Sequence, residues 1–376
     1  MESESGTRIV RILGIPIYLH SSWFIIFALI TLSLGTQFSA QYPNWSSSQH
    51  WALGIITSLF FFASVLVHEL GHSLVARHYK IPVASITLFI FGGLAKISRD
   101  PERPGQEFNI AIAGPITSFV LAGAFGLVYY TTPAGGMLSA SSLLLSQINL
   151  VLGLFNLVPG SPLDGGRILR SIAWRITRDF TKATRIAALS GQTFAYLLMI
   201  IGIYQGMSAK NWVGGLWLVF IGWFLKSAAQ ESYAQVAIRD TLRGVRASDI
   251  MTQDVPSVPR DISLEDYVHE VLRTGRRCHV VTGAGEPVGL ITLRSLGNFP
   301  RDEWTNTSVQ AAMLPRDRIH WASPEEPVLG ILERMQNEDI NQMPVVSEGH
   351  IVGLIGRDAI LRAIQTRLQM HHLAEQ

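Results

Sequence analysis

The sequence predicts a polytopic α-helical membrane protein of about six transmembrane helices with a re-entrant β segment, followed by a cytosolic α/β module. Three observations carry this. Hydrophobic residues make up 48% of the 376-residue chain and charged residues only 15%, and a mean hydropathy of +0.27 is too high for an ordinary soluble protein. Apolar runs long enough to cross a hydrocarbon core of about 30 Å recur as far as residue 229. After Tyr233 the composition turns polar and a unit repeats itself.

Residues 1–21 read as a polar tail and an extended, partly amphipathic segment ending at His20, an interfacial residue and not a ligand. No small-residue cleavage site follows the first apolar run, so that span is expected to be retained. Spans are expected at about 22–39, 51–76, 108–130, 141–158, 186–206 and 212–229. The loops on one side, 40–50, 131–140 and 207–211, hold a single basic residue, Lys210. The other side holds Arg8, Arg11, Arg77, Lys80, Lys96, Arg99 and Arg103, then Arg167, Arg170, Arg175, Arg178, Lys182 and Arg185. The positive-inside rule then makes both termini cytosolic in a multi-pass cell-membrane protein embedded in the lipid bilayer.

The second run carries His68-Glu69-Leu70-Gly71-His72 near its C-terminal end, with no charged residue from Ala52 to Val67. Ionisable groups at membrane depth are costly and normally face a protein interior or a wet cavity, so the default reading is functional. On a helix His68 and His72 are i and i+4 on one face, where two imidazoles can share a metal ion. Glu69 is displaced around the helix and can reach a water at that ion without being a ligand.

Between the second and third spans, Ile81 to Ile97 is apolar but too short to cross, contains Pro82, Gly92 and Gly93, and is rich in β-branched and aromatic residues. It reads as a re-entrant hairpin or sheet, with a surface loop as the alternative. The fourth run ends at Asn156 and continues through Pro159, Pro162, Leu163, Asp164, Gly165, Gly166 and Arg167. The prolines must break the helix and the glycines free the chain for a tight turn. Asp164 has two readings: a cap for a helix beginning near Arg167, or the further ligand that a two-histidine site requires.

The pattern H-E-L-G-H at 68–72, A-G-P at 113–115 and N-x-x-P-x-x-P-L-D-G at 156–165 resembles the site-2 protease family of intramembrane zinc metalloproteases, over about residues 8 to 230. The resemblance implies one Zn2+ held by His68, His72 and Asp164, Glu69 as catalytic base, and Asn156 positioning the substrate or polarising its carbonyl. It also implies that the segment around Phe91, Gly92 and Gly93 receives a single-span membrane-protein substrate. Three protein ligands with a fourth position left for water mark a catalytic zinc site. A transmembrane substrate must unwind before attack, and strand addition at an edge in 81–97 can hold it extended. Gly92 and Gly93 are expected to let its backbone approach closely.

In the polar region, Asp249-Ile-Met251, Ser257-Val258-Pro259, Cys278-His-Val280-Val281 and Gly289-Leu-Ile-Thr292 are echoed by Ala312-Met313, Trp321-Ala322-Ser323, Met343-Pro-Val345-Val346 and Gly353-Leu-Ile-Gly356. The methionines are offset by 62 residues and the glycines by 64. The repeat resembles a pair of cystathionine-β-synthase (CBS) domains. The expected domains are therefore 1–232 for the metalloprotease, 245–300 and 308–364 for the CBS pair, and 365–376 for a tail whose His371 and His372 are too sparse to name a metal site. The resemblance implies an adenine nucleotide between the copies, with Thr292 as a candidate contact, or a homodimer formed through the CBS domains. The family's ribose-binding aspartate position holds Ser295 in one copy and Ala359 in the other, so a nucleotide site and a nucleotide-free dimerisation or gating module both stand.

A net charge of +2 gives no reason to expect nucleic acid, and the lone Cys278 excludes an intramolecular disulfide. No G-x-S-x-G occurs, which disfavours serine-based intramembrane hydrolysis. The alternative function is a CBS-regulated transporter or channel using His68, Glu69 and Asp164 for coupling; transport offers no reason for H-E-x-x-H combined with a distant L-D-G.

Overall fold

The computed structural model describes residues 6–90, 92–208 and 212–374, so Phe91 and Lys210 lie outside the described residues, as do the side chains of His371 and His372. The chain divides into two compact units, Ser3–Ala237 and Ile238–Gln376.

The first unit begins with a hairpin, β1 (Gly6–Ile12) and β2 (Ile15–His20), and continues into α1 (Ser21–Gln41) and α2 (Ser47–His78). His20 is a helix cap, its Nδ1 accepting from the Ser22 backbone N–H at 3.1 Å. A capping box of Ser46 and Gln49 starts α2. Then come β3 (Val83–Phe89), β4 (Gly92–Ile97), α3 (Pro104–Thr131), α4 (Met137–Asn156), α5 (Asp164–Thr177), α6 (Phe180–Ser208) and α7 (Trp212–Thr241). Among the described residues six helices, α1, α2, α3, α4, α6 and α7, are long and apolar enough to cross a membrane. Their outward faces leave Phe24, Leu29, Ile200, Tyr204, Trp217 and Trp223 exposed, as lipid contact requires.

The segment before the first span is more than an extended lead-in. Its second strand pairs in parallel with β3, Ile17 opposite Ile86, giving a four-stranded sheet of order β1-β2-β3-β4. Sequence periodicity shows each strand but not which distant strand completes its hydrogen bonds. Ile15, Ile17 and Ile86 bury against Leu70, so the sheet lies on the motif-bearing turn of α2. Among the described residues β4 pairs only with β3, which leaves it the free edge on that side.

The second unit is built on the predicted duplication. Its first half contains α8 (Ala247–Ile250), β5 (Ser257–Pro259), α9 (Leu264–Thr274), β6 (Cys278–Gly283) and β7 (Glu286–Thr292). Its second contains α10 (Val309–Ala312), β8 (Leu314–Pro315), α11 (Val328–Asn337), β9 (Gln342–Ser347), β10 (His350–Gly356) and α12 (Arg357–Ala374). The halves exchange edges: Leu314 pairs with Leu290 of β7, and Thr252 pairs with Leu354 of β10. The repeated glycines make this possible. A Cβ on Gly289 would stand 2.7 Å from the Met313 sulfur, and one on Gly353 would stand 2.7 Å from the Met251 sulfur.

Candidate active site

Helix α2 presents His68 and His72 from its buried face, with ring centroids 4.9 Å apart and rings nearly perpendicular at 78°. Asp164 arrives from the other side as the first residue of α5. It is not a cap: Leu163 holds that position and no side-chain capping bond forms. The Asp164 Oδ2 lies 3.1 Å from Nε2 of His68 and 3.1 Å from Nε2 of His72, and the two Nε2 atoms are 3.2 Å apart.

The outer nitrogens decide what this cluster is. His72 Nδ1 sits 2.7 Å from the Ile110 carbonyl oxygen, which can only accept, so Nδ1 carries the proton. A neutral imidazole then turns the Nε2 lone pair toward a carboxylate oxygen and toward another imidazole nitrogen. His68 Nδ1 faces a hydroxyl that can donate or accept, so a proton on His68 Nε2 or a metal ion among the three atoms relieves the crowding of lone pairs. Three donors held about 2.0–2.1 Å from a tetrahedral zinc ion stand roughly 3.3 Å apart, close to the separations seen here. The three residues therefore fit a zinc ion, with His68 Nδ1 likewise engaged, 2.8 Å from the Ser118 hydroxyl.

Glycines make the convergence possible. A Cβ on Gly114 would overlap His72 Nε2 and stand 2.6 Å from His68 Nε2, so the A-G-P stretch of α3 supplies the space the rings occupy. Gly165 and Gly166 are not turn residues but lie within α5. A Cβ on either would strike the backbone of residues 157–161, which folds back over the first turn of α5.

His68, Glu69, His72, Asp164, Asn156, Gly92 and Gly93 all line one cavity of about 520 Å³. Gly93 serves Glu69 itself, because a Cβ there would lie 2.5 Å from Glu69 Cγ. Gly92 differs: its φ of +130° demands glycine, and nothing lies within 4 Å of an added Cβ. Arg167, on α5, is the one cation in the lining, and the reading of the sequence counted it only as a topological charge. Ser118 and the Ile110 carbonyl, which hold the two rings, are not singled out by the sequence. The available signal was their spacing on α3, since residues 110, 114 and 118 recur at i, i+4 and i+8.

In the second unit, Thr292, Ser295, Gly356 and Ala359 meet in one cleft of about 1120 Å³ between the repeats. Thr292 Oγ1 is 3.3 Å from Ser295 Oγ. Arg276, Arg277, Arg294, Arg357 and Arg362 line the same cleft, three of them paired with Asp254, Asp339 and Asp358. The Arg294 guanidinium holds the Asp339 carboxyl below the usual range. Burial pushes the Cys278 thiol up to about 12, which leaves it inert.

Comparison with known proteins places the chain in a family. Residues 56–141 and 130–201 match peptidase family M50, and residues 247–298 and 311–366 match the CBS domain. The chain is 35% identical over 367 residues, 96% of each chain, to sll0528 of Synechocystis sp., which carries a zinc-metalloprotease name. It is 31% identical to zinc metalloprotease MJ0392 of Methanocaldococcus jannaschii, covering 95% of each. The solved site-2 protease from Methanocaldococcus jannaschii is similar over 61% of this chain and 95% of that one, at 33% identity and a TM-score of 0.42. The histidine pair falls within the first matched stretch and Asp164 within the second, and with relatives alike along nearly their whole length, the chain belongs to peptidase family M50, carrying a C-terminal pair of CBS domains.

Proposed function

We propose that His68, His72 and Asp164 hold the zinc ion of this intramembrane metalloendopeptidase and that Glu69 is its general base. The observation that carries the assignment is the meeting of three potential ligand atoms within 3.2 Å, on two helices distant in sequence, at separations close to those between ligands of one tetrahedral zinc ion. When bound, zinc supplies Lewis-acid polarisation of the scissile carbonyl and acidifies water. Everything else falls to the chain. Ile110 and Ser118 hold both imidazoles in the orientation that leaves Nε2 free. Glu69, in the cavity wall but outside the donor cluster, takes the proton of the attacking water and delivers it to the departing amine. Asn156 donates to the substrate carbonyl, and the free edge of β4 accepts an extended substrate by strand addition.

The enzyme acts on peptide bonds in or near transmembrane segments of membrane proteins. We place a single-span protein as its substrate, β3 and β4 as a re-entrant hairpin, and both termini with the CBS pair in the cytosol. The CBS pair modulates activity. An adenine nucleotide in the arginine-lined cleft, contacted by Thr292, is the reading its positive lining favours; the missing ribose-binding aspartates favour a nucleotide-free dimerisation module. Binding of radiolabelled ATP and AMP to the full chain separates the two.

The central assignment is tested in purified membranes with wild type, Glu69→Ala and Asp164→Ala, measuring zinc content and cleavage of a single-span substrate. Loss of Glu69 is expected to leave zinc bound and stop proteolysis. Loss of Asp164 is expected to weaken both. Full zinc occupancy in Asp164→Ala would remove the three-ligand site.

A further inference from the structure

Helix α3 carries more of the site than the H-E-x-x-H helix suggests. Its residues 110, 114 and 118 follow one face. They receive His72 Nδ1, make room for both rings and engage His68 Nδ1, respectively. The same face begins at Glu107, which is fully buried. There the carboxylate Oε1 accepts from Arg170 Nε at 2.7 Å and from a terminal nitrogen of the same guanidinium. Arg170 belongs to α5, the helix whose first residue is Asp164. Its guanidinium is also 4.8 Å above the Phe180 ring.

A buried ion pair is poor evidence of stabilisation, because desolvation offsets most of the attraction, but its directionality makes it good at fixing register. The two-nitrogen contact fixes both the rotation of α5 and its position along its axis against α3. Asp164 stands six residues away, about 9 Å along the helix. A one-residue rotation of α5, roughly 100°, would take its carboxylate out of the cluster altogether. The other charged group of this face, Arg167, makes no ion pair or side-chain hydrogen bond among the described residues, so it does not fix that rotation.

We propose that Glu107 and Arg170 are a positioning pair for the metal centre: α3 orients both imidazoles directly and, through this pair, sets the helix that delivers the aspartate. This rests on the assignment of Asp164 as a zinc ligand. The first turn of α5 is already wedged beneath residues 157–161 at its glycines. The ion pair supplies the second point that a rigid rod needs to have its rotation defined.

The test measures zinc affinity of the purified full-length chain by competition with a chelator, alongside the thermal midpoint of the zinc-free protein. A Glu107→Met/Arg170→Met double variant replaces the pair with apolar groups of similar volume, an exchange that ordinarily leaves stability unchanged or improved. Zinc affinity is expected to fall by about 10-fold or more, the range seen when groups behind metal ligands are removed, with the zinc-free midpoint kept. Arg170→Lys, which keeps the charge and loses the fork, is expected to fall between the double variant and wild type. With cobalt in place of zinc, the double variant is expected to show altered visible absorption. Wild-type affinity and an unchanged cobalt spectrum in the double variant would overturn the proposal. Should the double variant fail to fold, Arg170→Lys decides alone: a normal affinity and spectrum there overturn it. Failure of the wild type itself to bind zinc would sink the ligand assignment instead, so the two failures are distinguishable.

Discussion

Gly114→Ala is the smallest change that asks whether space on α3 builds the metal centre. One methyl group is added on a helix where alanine is otherwise the more favourable residue. The Cβ would lie 2.6 Å from His68 Nε2 and nearer still to His72 Nε2, whereas ordinary contact begins at about 3.4 Å. His68 must retreat by about 0.8 Å and His72 by more. Both rings are held from behind, at 2.8 Å by Ser118 and at 2.7 Å by the Ile110 carbonyl, so neither has a free direction. Metal bonds tolerate about 0.2 Å. The expected result is zinc affinity lowered by at least about 100-fold, the upper range for disturbed sites, with the zinc-free protein destabilised by about 1–3 kcal/mol, the usual cost of an overpacked methyl group. Zinc content by elemental analysis, chelator competition and the unfolding midpoint together read this out. A Gly114→Ala protein that binds one zinc per chain at wild-type affinity would refute the claim that α3 supplies this space.

Two further predictions concern other parts of the chain. Gly93→Ala places a Cβ 2.5 Å from Glu69 Cγ and displaces the base, not the ligands. Proteolysis is expected to fall by about 10²- to 10⁴-fold with zinc content unchanged; parallel cleavage and metal assays check it, and loss of zinc would contradict it. In the second unit His279 is buried at 1% exposure, with no hydrogen-bond partner on either ring nitrogen among the described residues. Burial, aided by Arg276 and opposed by Glu270, holds its pKa below the ordinary value. The unfolded chain therefore takes the proton first, and stability present above about pH 6.5 is lost as pH falls, by up to about 1.4 kcal/mol per pH unit. Protection factors of residues 264–292 in the full chain, with the intrinsic exchange rate at each pH divided out, should fall from pH 7 to 5, and His279→Phe should flatten that dependence.

The proposed zinc donors illustrate how much of a site is legible before folding. His68 and His72 sit four apart just after a stretch, Ala52 to Val67, that is free of charge, and a helix of fixed pitch puts them on one face whatever surrounds it. Asp164 was legible because Pro159 and Pro162 must end the preceding helix, although setting aside its role as a cap needed the coordinates. The role of Gly93 was not legible. Glycine signals that a Cβ is unwelcome without naming the atom it would meet, and in this structure that atom is on Glu69.

Local periodicity, composition and the repeat offset thus determined the six spans, the duplicated module and the motif residues, because each depends on neighbours within one or two turns or on self-similarity. Tertiary structure alone decided that β2 pairs with β3, that Ile110 and Ser118 orient the two imidazoles, and that Glu107 grips Arg170. Those partners lie 38 to 69 residues apart. No local rule links them, since a backbone donor or a buried charge is satisfied by whichever acceptor the packed helices bring to it.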